Sequence, residues 1–246
     1  MQTTKKKRGL LVGLNYKGTT NELHGCENDV KAMRIRFESI WKVPKNDIVM
    51  KFDGELTPDK GFLQCLEDLI KDASAGDSFF LHYSGHGFQI KDDNGDETDG
   101  YDEAIMLNNS YVRDDDIADI LKKLPEKVIV VMIFDCCHSA TMADLPFLYS
   151  KGKQYRYANY DKFKCDIICI SGCLDTGTSA DAWISGKGSY GALTATLLDQ
   201  IDESNKYTTW KQVIDKTIVK IKKAGYSQLP QFSATHQALL NSKIRF

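Results

Sequence analysis

Apolar positions along this chain fall into two patterns. Short continuous runs occupy residues 9–14, 48–52, 78–84, 128–134 and 166–171, and 229–235 is a further short candidate. Runs of this length read as strands buried on both faces, as in a parallel sheet. Between them, apolar residues recur at helical spacing: Val30, Met33, Phe37 and Ile40; Phe62, Leu66, Leu69 and Ala73; Ile117, Ile120, Leu121 and Leu124; and Trp210, Val213, Thr217 and Ile221. Residues 190–201 form one more candidate helix. Asn28 or Asp29 is placed to cap the first helix, Gly76 to stop the second, and Lys122 and Lys123 to close the third.

Strands alternating with helices predict an α/β fold with a mainly parallel central sheet flanked by helices. Residues 15–27 read as a polar loop, 85–103 as a long acidic loop, and 140–164 as a loop rich in Tyr, Lys and Gly. Residues 104–113 suggest a hairpin around Asn108 and Asn109.

Composition narrows the function classes. The chain has 246 residues, 27% charged residues and a formal net charge of -2, which gives no general attraction to nucleic acid. No apolar run is long enough to span a membrane. The basic stretch at residues 5–8 lacks the apolar region and cleavage site of a signal peptide and reads as a solvated end. Seven cysteines without a C-x-x-C pair suit a reducing, cytoplasmic compartment. Cys26, Cys65, Cys165, Cys169 and Cys173 sit among apolar residues and read as core thiols.

The chemistry lies at two strand ends. Residues 128–134 run into Asp135-Cys136-Cys137-His138-Ser139, and residues 78–84 run into Gly85-His86-Gly87. In open α/β sheets the site lies at the carboxyl ends of the strands. If these strands are neighbours, a thiol and an imidazole meet there, the minimum for nucleophilic cysteine catalysis. His82 lies within a strand run and reads as a hydrogen-bonded core residue. Its H-x-x-x-H spacing with His86 is not helical, and the acidic residue of H-E-x-x-H is absent, so zinc is disfavoured.

Tyr83-Ser-Gly-His-Gly87 with Asp135-Cys-Cys-His-Ser139 resembles the catalytic pair of metacaspases, cysteine peptidases of the caspase–haemoglobinase fold. Further blocks resemble the same family in the same order: Leu23 to Asp29, Gly95 to Glu103, Asp144 to Phe147, Ser171 to Asp175 and Thr178 to Ala182. Ala140 and Gly177 depart from its usual glycine and glutamine. The likeness is to a compact type I member, without the proline- and glutamine-rich N-terminal extension and without the type II insertion.

The resemblance implies one caspase-like domain, with a large-subunit-like part to about residue 150 and a small-subunit-like part from about 165. It implies Cys137 as nucleophile, His86 as base, and the backbone N–H groups of Gly87 and Cys137 as oxyanion donors. Cys136 is the competing thiol, expected to pack inward, and His138 is expected to shape the loop. Asp135, Asp29, Cys26 and Ser84 match the specificity pocket, although Asp29 has the alternative reading of a helix cap. Two carboxylates and no arginine in these blocks favour Arg or Lys before the scissile bond.

Asp102, Asp114, Asp115 and Asp144 match the family's calcium site, and Ca2+ is the implied cofactor. Most carboxylates of 92–99 read as loop solvation; an EF-hand there fails because Glu97 stands where its glycine belongs. The expected protein is a monomeric, calcium-activated endopeptidase acting on peptides or proteins, with no nucleic-acid or membrane partner. Self-cleavage is expected at Lys151, Lys153, Arg156 or Lys187, the last favoured by its flanking glycines. The rivals are a catalytically silent caspase-like scaffold and a zinc hydrolase built on His82, His86 and the cysteine pair.

Overall fold

The computed structural model describes residues 5–56, 61–91, 101–137, 142–157, 163–173, 181–184, 188–226 and 228–244. The first half runs β1 (Lys7–Gly13), α1 (Cys26–Ser39), β2 (Ile48–Lys51), α2 (Phe62–Ile70), β3 (Ser78–Ser84), β4 (Gly87–Lys91), β5 (Tyr101–Met106), β6 (Tyr111–Arg113), α3 (Asp114–Leu121) and β7 (Ile129–Asp135). The second half runs β8 (Phe147–Ser150), β9 (Lys153–Arg156), β10 (Asp166–Cys173), β11 (Asp181–Ile184), β12 (Gly188–Gly191), α4 (Ala192–Asp202), α5 (Trp210–Lys223) and β13 (Leu229–Ala234).

Eight strands form the central sheet in the order β2-β1-β3-β7-β10-β13-β8-β9. The five from β2 to β10 are parallel, as the buried apolar runs predict. β13, β8 and β9 extend the sheet antiparallel. Side chains on a strand alternate between faces, so parity sorts the core. Phe79, Leu81 and Tyr83 of β3 and Val130, Met132 and Phe134 of β7 pack with α2 and α3. Phe80 of β3 and Val131 and Ile133 of β7 pack with α1, α4 and α5. This second core is closed by Phe37, Trp41, Phe80 and Trp210, with neighbouring ring centroids 5.3 to 6.4 Å apart. Truncating a buried aromatic such as Phe80 to alanine typically costs about 3–5 kcal/mol.

Several sequence expectations are corrected. Residues 140–164 include the hairpin β8–β9, whose tight turn is made by Lys151 (φ 52) and Gly152 (φ 75). The acidic 85–103 segment contains β4 and the start of β5, which pair antiparallel. α1 begins at Cys26, so neither Asn28 nor Asp29 caps it; the side chain of Asn15 accepts the Cys26 N–H at 3.0 Å instead. α2 ends at Ile70, before Ala73 and Gly76, and α3 ends at Leu121, before both lysines. Cys65 is half-buried and packs against the margin of the first core rather than within it. The 104–113 hairpin and the buried faces of α1, α3 and α5 otherwise follow the pattern. Among the described residues, no helix is long and apolar enough to cross a membrane. Asp92 to Asp99, His138, Gly177 and Lys187 lie outside the described residues.

Candidate active site

β3 and β7 are neighbours in register, with Ser84 opposite Asp135. The chain therefore leaves both strands at the same sheet edge, and the Gly85 N–H still reaches the Asp135 carbonyl at 3.3 Å. His86 and Cys137 follow immediately. A Cβ placed on Gly87 would lie 2.1 Å from the Cys137 carbonyl oxygen, so only glycine lets these two backbones touch. Cys137 is buried at 6% exposure and Cys136 at 1%. Parity sends Cys136 inward, to the face of Phe134 and Tyr83.

His86 is half-buried, and its Nε2 lies 2.8 Å from the Asn21 carbonyl. A carbonyl only accepts, so Nε2 is the donor, and in the neutral imidazole Nδ1 is then the acceptor. The loop between β1 and α1 thus fixes the tautomer, through a backbone atom that leaves no signature in sequence.

The opposite parity gathers the acidic pair. Ser84 and Asp135 share the face of α1 and α4, and Asp29 arrives from the first turn of α1. Ser84 Oγ donates to Asp29 Oδ2 at 2.7 Å. The Gly191 N–H is 3.0 Å from both Asp29 oxygens. The Thr194 N–H donates to Asp135 Oδ2 at 2.7 Å, and Gln228 Nε2 lies 3.5 Å from Asp135 Oδ1. A Cβ on Gly191 would sit 2.1 Å from Asp135 Oδ2 and 2.8 Å from Asp29 Oδ2, so the two carboxylates flank one small space. Asp29 is completely buried and Asp135 nearly so. Cys26, at the start of α1, is buried in the other core, with Tyr16 and Tyr83.

Comparison with known proteins decides what this arrangement belongs to. The family model "Metacaspase, peptidase C14 domain" matches residues 7–146. The chain is 35% identical to Metacaspase-2 of Trypanosoma brucei brucei over 93% of its length and 73% of the relative's. It is 32% identical to Metacaspase-1 of Schizosaccharomyces pombe, covering 96% of this chain and 69% of that one. The chain belongs to the metacaspase family. Metacaspase-1 of Arabidopsis thaliana is 34% identical over 89% of this chain and 66% of its own. A crystal structure of a Geobacter sulfurreducens protein shares the fold, with a TM-score of 0.72 at 23% identity over 97% of this chain and 98% of that one. This metacaspase is therefore a caspase-like cysteine peptidase, and its substrates are proteins or peptides.

Of the acidic residues matched to calcium, one lies in a separate three-stranded sheet, β4-β5-β6, two open α3 directly after β6, and Asp144 lies between β7 and β8. Asp102 on β5 and Asp114 at the start of α3 are each 1% exposed, and Asp144 is 7% exposed with φ 50. Asp115 is half-buried, and its N–H donates to Asp114 Oδ1 at 3.0 Å. Buried carboxylates are the right donors for a hard cation. Among the described residues no three His, Cys, Asp or Glu side chains converge as a metal site. Asp102 Oδ2 instead lies 3.6 Å from Arg113 Nη1.

His82 is the predicted core histidine, fully buried with Nε2 3.2 Å from Thr194 Oγ1, and burial lowers its pKa to about 3. Sequence reasoning missed Gly191, Thr194 and Gln228, which reach the acidic pair from more than 50 residues beyond Asp135. It also missed Tyr16. The polar tip of Tyr83 inside an apolar strand was the one available hint.

Proposed function

We propose that this metacaspase is an endopeptidase that cleaves after Arg or Lys, with Cys137 as nucleophile and His86 as base. The observation that carries the specificity is the pair of buried carboxylates on either side of Gly191. A guanidinium or ammonium entering there finds two acceptors, whereas an aspartate side chain would meet like charge.

In the reaction, His86 Nδ1 takes the Cys137 proton and the thiolate attacks the carbonyl carbon of the scissile bond. The oxygen gains the negative charge and is met by the N–H groups of Gly87 and Cys137. The C–N bond then breaks as the imidazolium returns its proton to the leaving amine, leaving a thioester on Cys137. His86 next deprotonates a water, which attacks the thioester; the acid leaves and the thiol is restored.

We also propose Ca2+ as the cofactor, held by Asp102, Asp114, Asp115 and Asp144, three of which are buried carboxylates of the kind a hard cation takes. Self-processing is proposed at Lys187 ahead of Lys151, Lys153 and Arg156, because the last three belong to the paired hairpin β8–β9.

The test is initial rates on peptides that differ only in the residue before the scissile bond, for wild type, Cys137→Ala, Cys136→Ala and Asp135→Asn. Hydrolysis should vanish in Cys137→Ala and persist in Cys136→Ala. Asp135→Asn should lose tens-fold or more on Arg and Lys peptides, as expected from about 2–5 kcal/mol for one partner of a desolvated charge pair. An aspartyl peptide cut as fast as an arginyl one would overturn the pocket. Undiminished hydrolysis by Cys137→Ala would overturn the nucleophile.

A further inference from the structure

We propose that Tyr16 and Tyr83 are positioning residues for His86, closing a ring of hydrogen bonds through its backbone. The inference rests on the reading of His86 as the base. The His86 N–H donates to Tyr16 Oη at 3.0 Å. The two tyrosine hydroxyls are 2.9 Å apart. Tyr83 Oη donates to the His86 carbonyl at 2.8 Å. Both hydroxyls also lie against the Met106 carbonyl, 2.8 Å from Tyr16 and 2.7 Å from Tyr83, and in the head-to-tail arrangement the His86 N–H donates to Tyr16, the Tyr16 O–H to Tyr83 and the Tyr83 O–H to the His86 carbonyl. Such rings reinforce themselves in a low-dielectric interior.

The surroundings are built around this ring. Tyr16 is 2% exposed and Tyr83 is fully buried. Burial raises both phenol pKa values, which keeps each hydroxyl able to donate. The Tyr16 ring lies 4.9 Å from the imidazole, tilted by 34°. Tyr16 adopts φ 52, a backbone region that costs a non-glycine residue. Asp53 holds it there, accepting the Tyr16 N–H at 3.0 Å and the Lys17 N–H at 3.1 Å, and Thr19 Oγ1 donates to the Tyr16 carbonyl at 2.7 Å. Gly85 completes the ring's housing. A Cβ there would press on Tyr83 Oη at 2.5 Å and on Tyr16 Oη at 2.8 Å.

The two hydroxyls are not equivalent. Tyr16→Phe takes from the half-buried His86 N–H its hydroxyl acceptor. After Tyr83→Phe, the Met106 N–H still donates to the His86 carbonyl at 2.9 Å, and the Tyr16 hydroxyl can turn to the Met106 carbonyl, 2.8 Å away. Tyr16→Phe should therefore cost more.

The experiment is steady-state hydrolysis of an arginyl reporter peptide by wild type, Tyr16→Phe, Tyr83→Phe and His86→Ala. The pH dependence of Cys137 alkylation by iodoacetamide, followed by mass, is the second readout. Misplacing a reacting group by about 1 Å can cost ~100-fold, so kcat for Tyr16→Phe should fall about ten- to hundredfold. KM should stay within about twofold, and the alkylation profile should shift, which loss of a merely structural hydroxyl would not produce. Tyr83→Phe should lose less. Wild-type kcat and an unmoved profile in folded Tyr16→Phe overturn the proposal. Full activity in His86→Ala overturns the base assignment instead. If Tyr16→Phe fails to fold, Gly85→Ala carries the test, since its methyl displaces the same two hydroxyls; wild-type kcat there is equally fatal.

Discussion

Gly191 and His82 are single positions whose consequences can be measured. An alanine at 191 places a methyl between Asp29 and Asp135, where a cationic side chain is proposed to enter. Gly191→Ala should lower kcat/KM on arginyl and lysyl peptides by at least about tenfold, within the range for spoiling one desolvated charge contact. Undiminished kcat/KM would move the pocket elsewhere. His82 makes a prediction about acid. Its folded pKa is about 3, against about 6.5 when unfolded, so the unfolded chain takes up a proton first as the pH falls. Its contribution to stability is complete above about pH 6.5 and is lost towards pH 3, with a slope of about 1.4 kcal/mol per pH unit. Denaturant unfolding at pH 7 and pH 5 should show this loss in wild type and lack it in His82→Gln; parallel losses would refute it. At this scale the sequence was legible where period-two alternation did the sorting. Asp135 and Ser84 on one face, Cys136 and Tyr83 on the other, follow from counting along two strands. Asn21 was not legible, because it acts through its carbonyl, and neither was Gly191, because the chain brings it back from far downstream.

The elements flanking the site explain how the acidic cluster and the base could communicate. β4 starts at Gly87, directly after His86, and pairs with β5, where Ile90 faces Asp102. The Met106 N–H at the end of β5 donates to the His86 carbonyl at 2.9 Å. β6 pairs Arg113 with Ala104 and leads into Asp114. If calcium binds the cluster, hydrogen exchange of backbone amides across β4 to β6 should slow without any substrate present. Asp102→Asn should abolish that protection. Arg113→Gln, which removes a competing positive charge, should tighten the calcium Kd severalfold. Unchanged exchange in saturating calcium would rule the binding proposal out. β4 escaped the sequence reading because Gly-Phe-Gln-Ile-Lys is brief and its partner lies beyond a run of acids. β9 escaped it because all four of its residues face water and carry no apolar stripe. The parallel strands were readable for the opposite reason: burial on both faces leaves an unbroken apolar run.

Across the whole molecule, the strand order weaves the two halves of the chain together. β10 and β13, which come later in the chain, lie between β7 and β8, which come earlier. Arg36 on α1 also forms a forked ion pair with Asp202 on α4. A cut after β9, or at Lys187, would leave β13 hydrogen-bonded on both sides. Processed protein should therefore run as one species in native size exclusion and as two only after denaturation; early separation into fragments would contradict this. The interleaving also changes what governs persistence. An intact chain unfolds at a midpoint independent of its concentration, but a cut one is a two-part complex ruled by mass action. Each tenfold dilution then costs the assembled form about 1.4 kcal/mol. Once cut, the peptidase would lose part of its stability simply by being diluted.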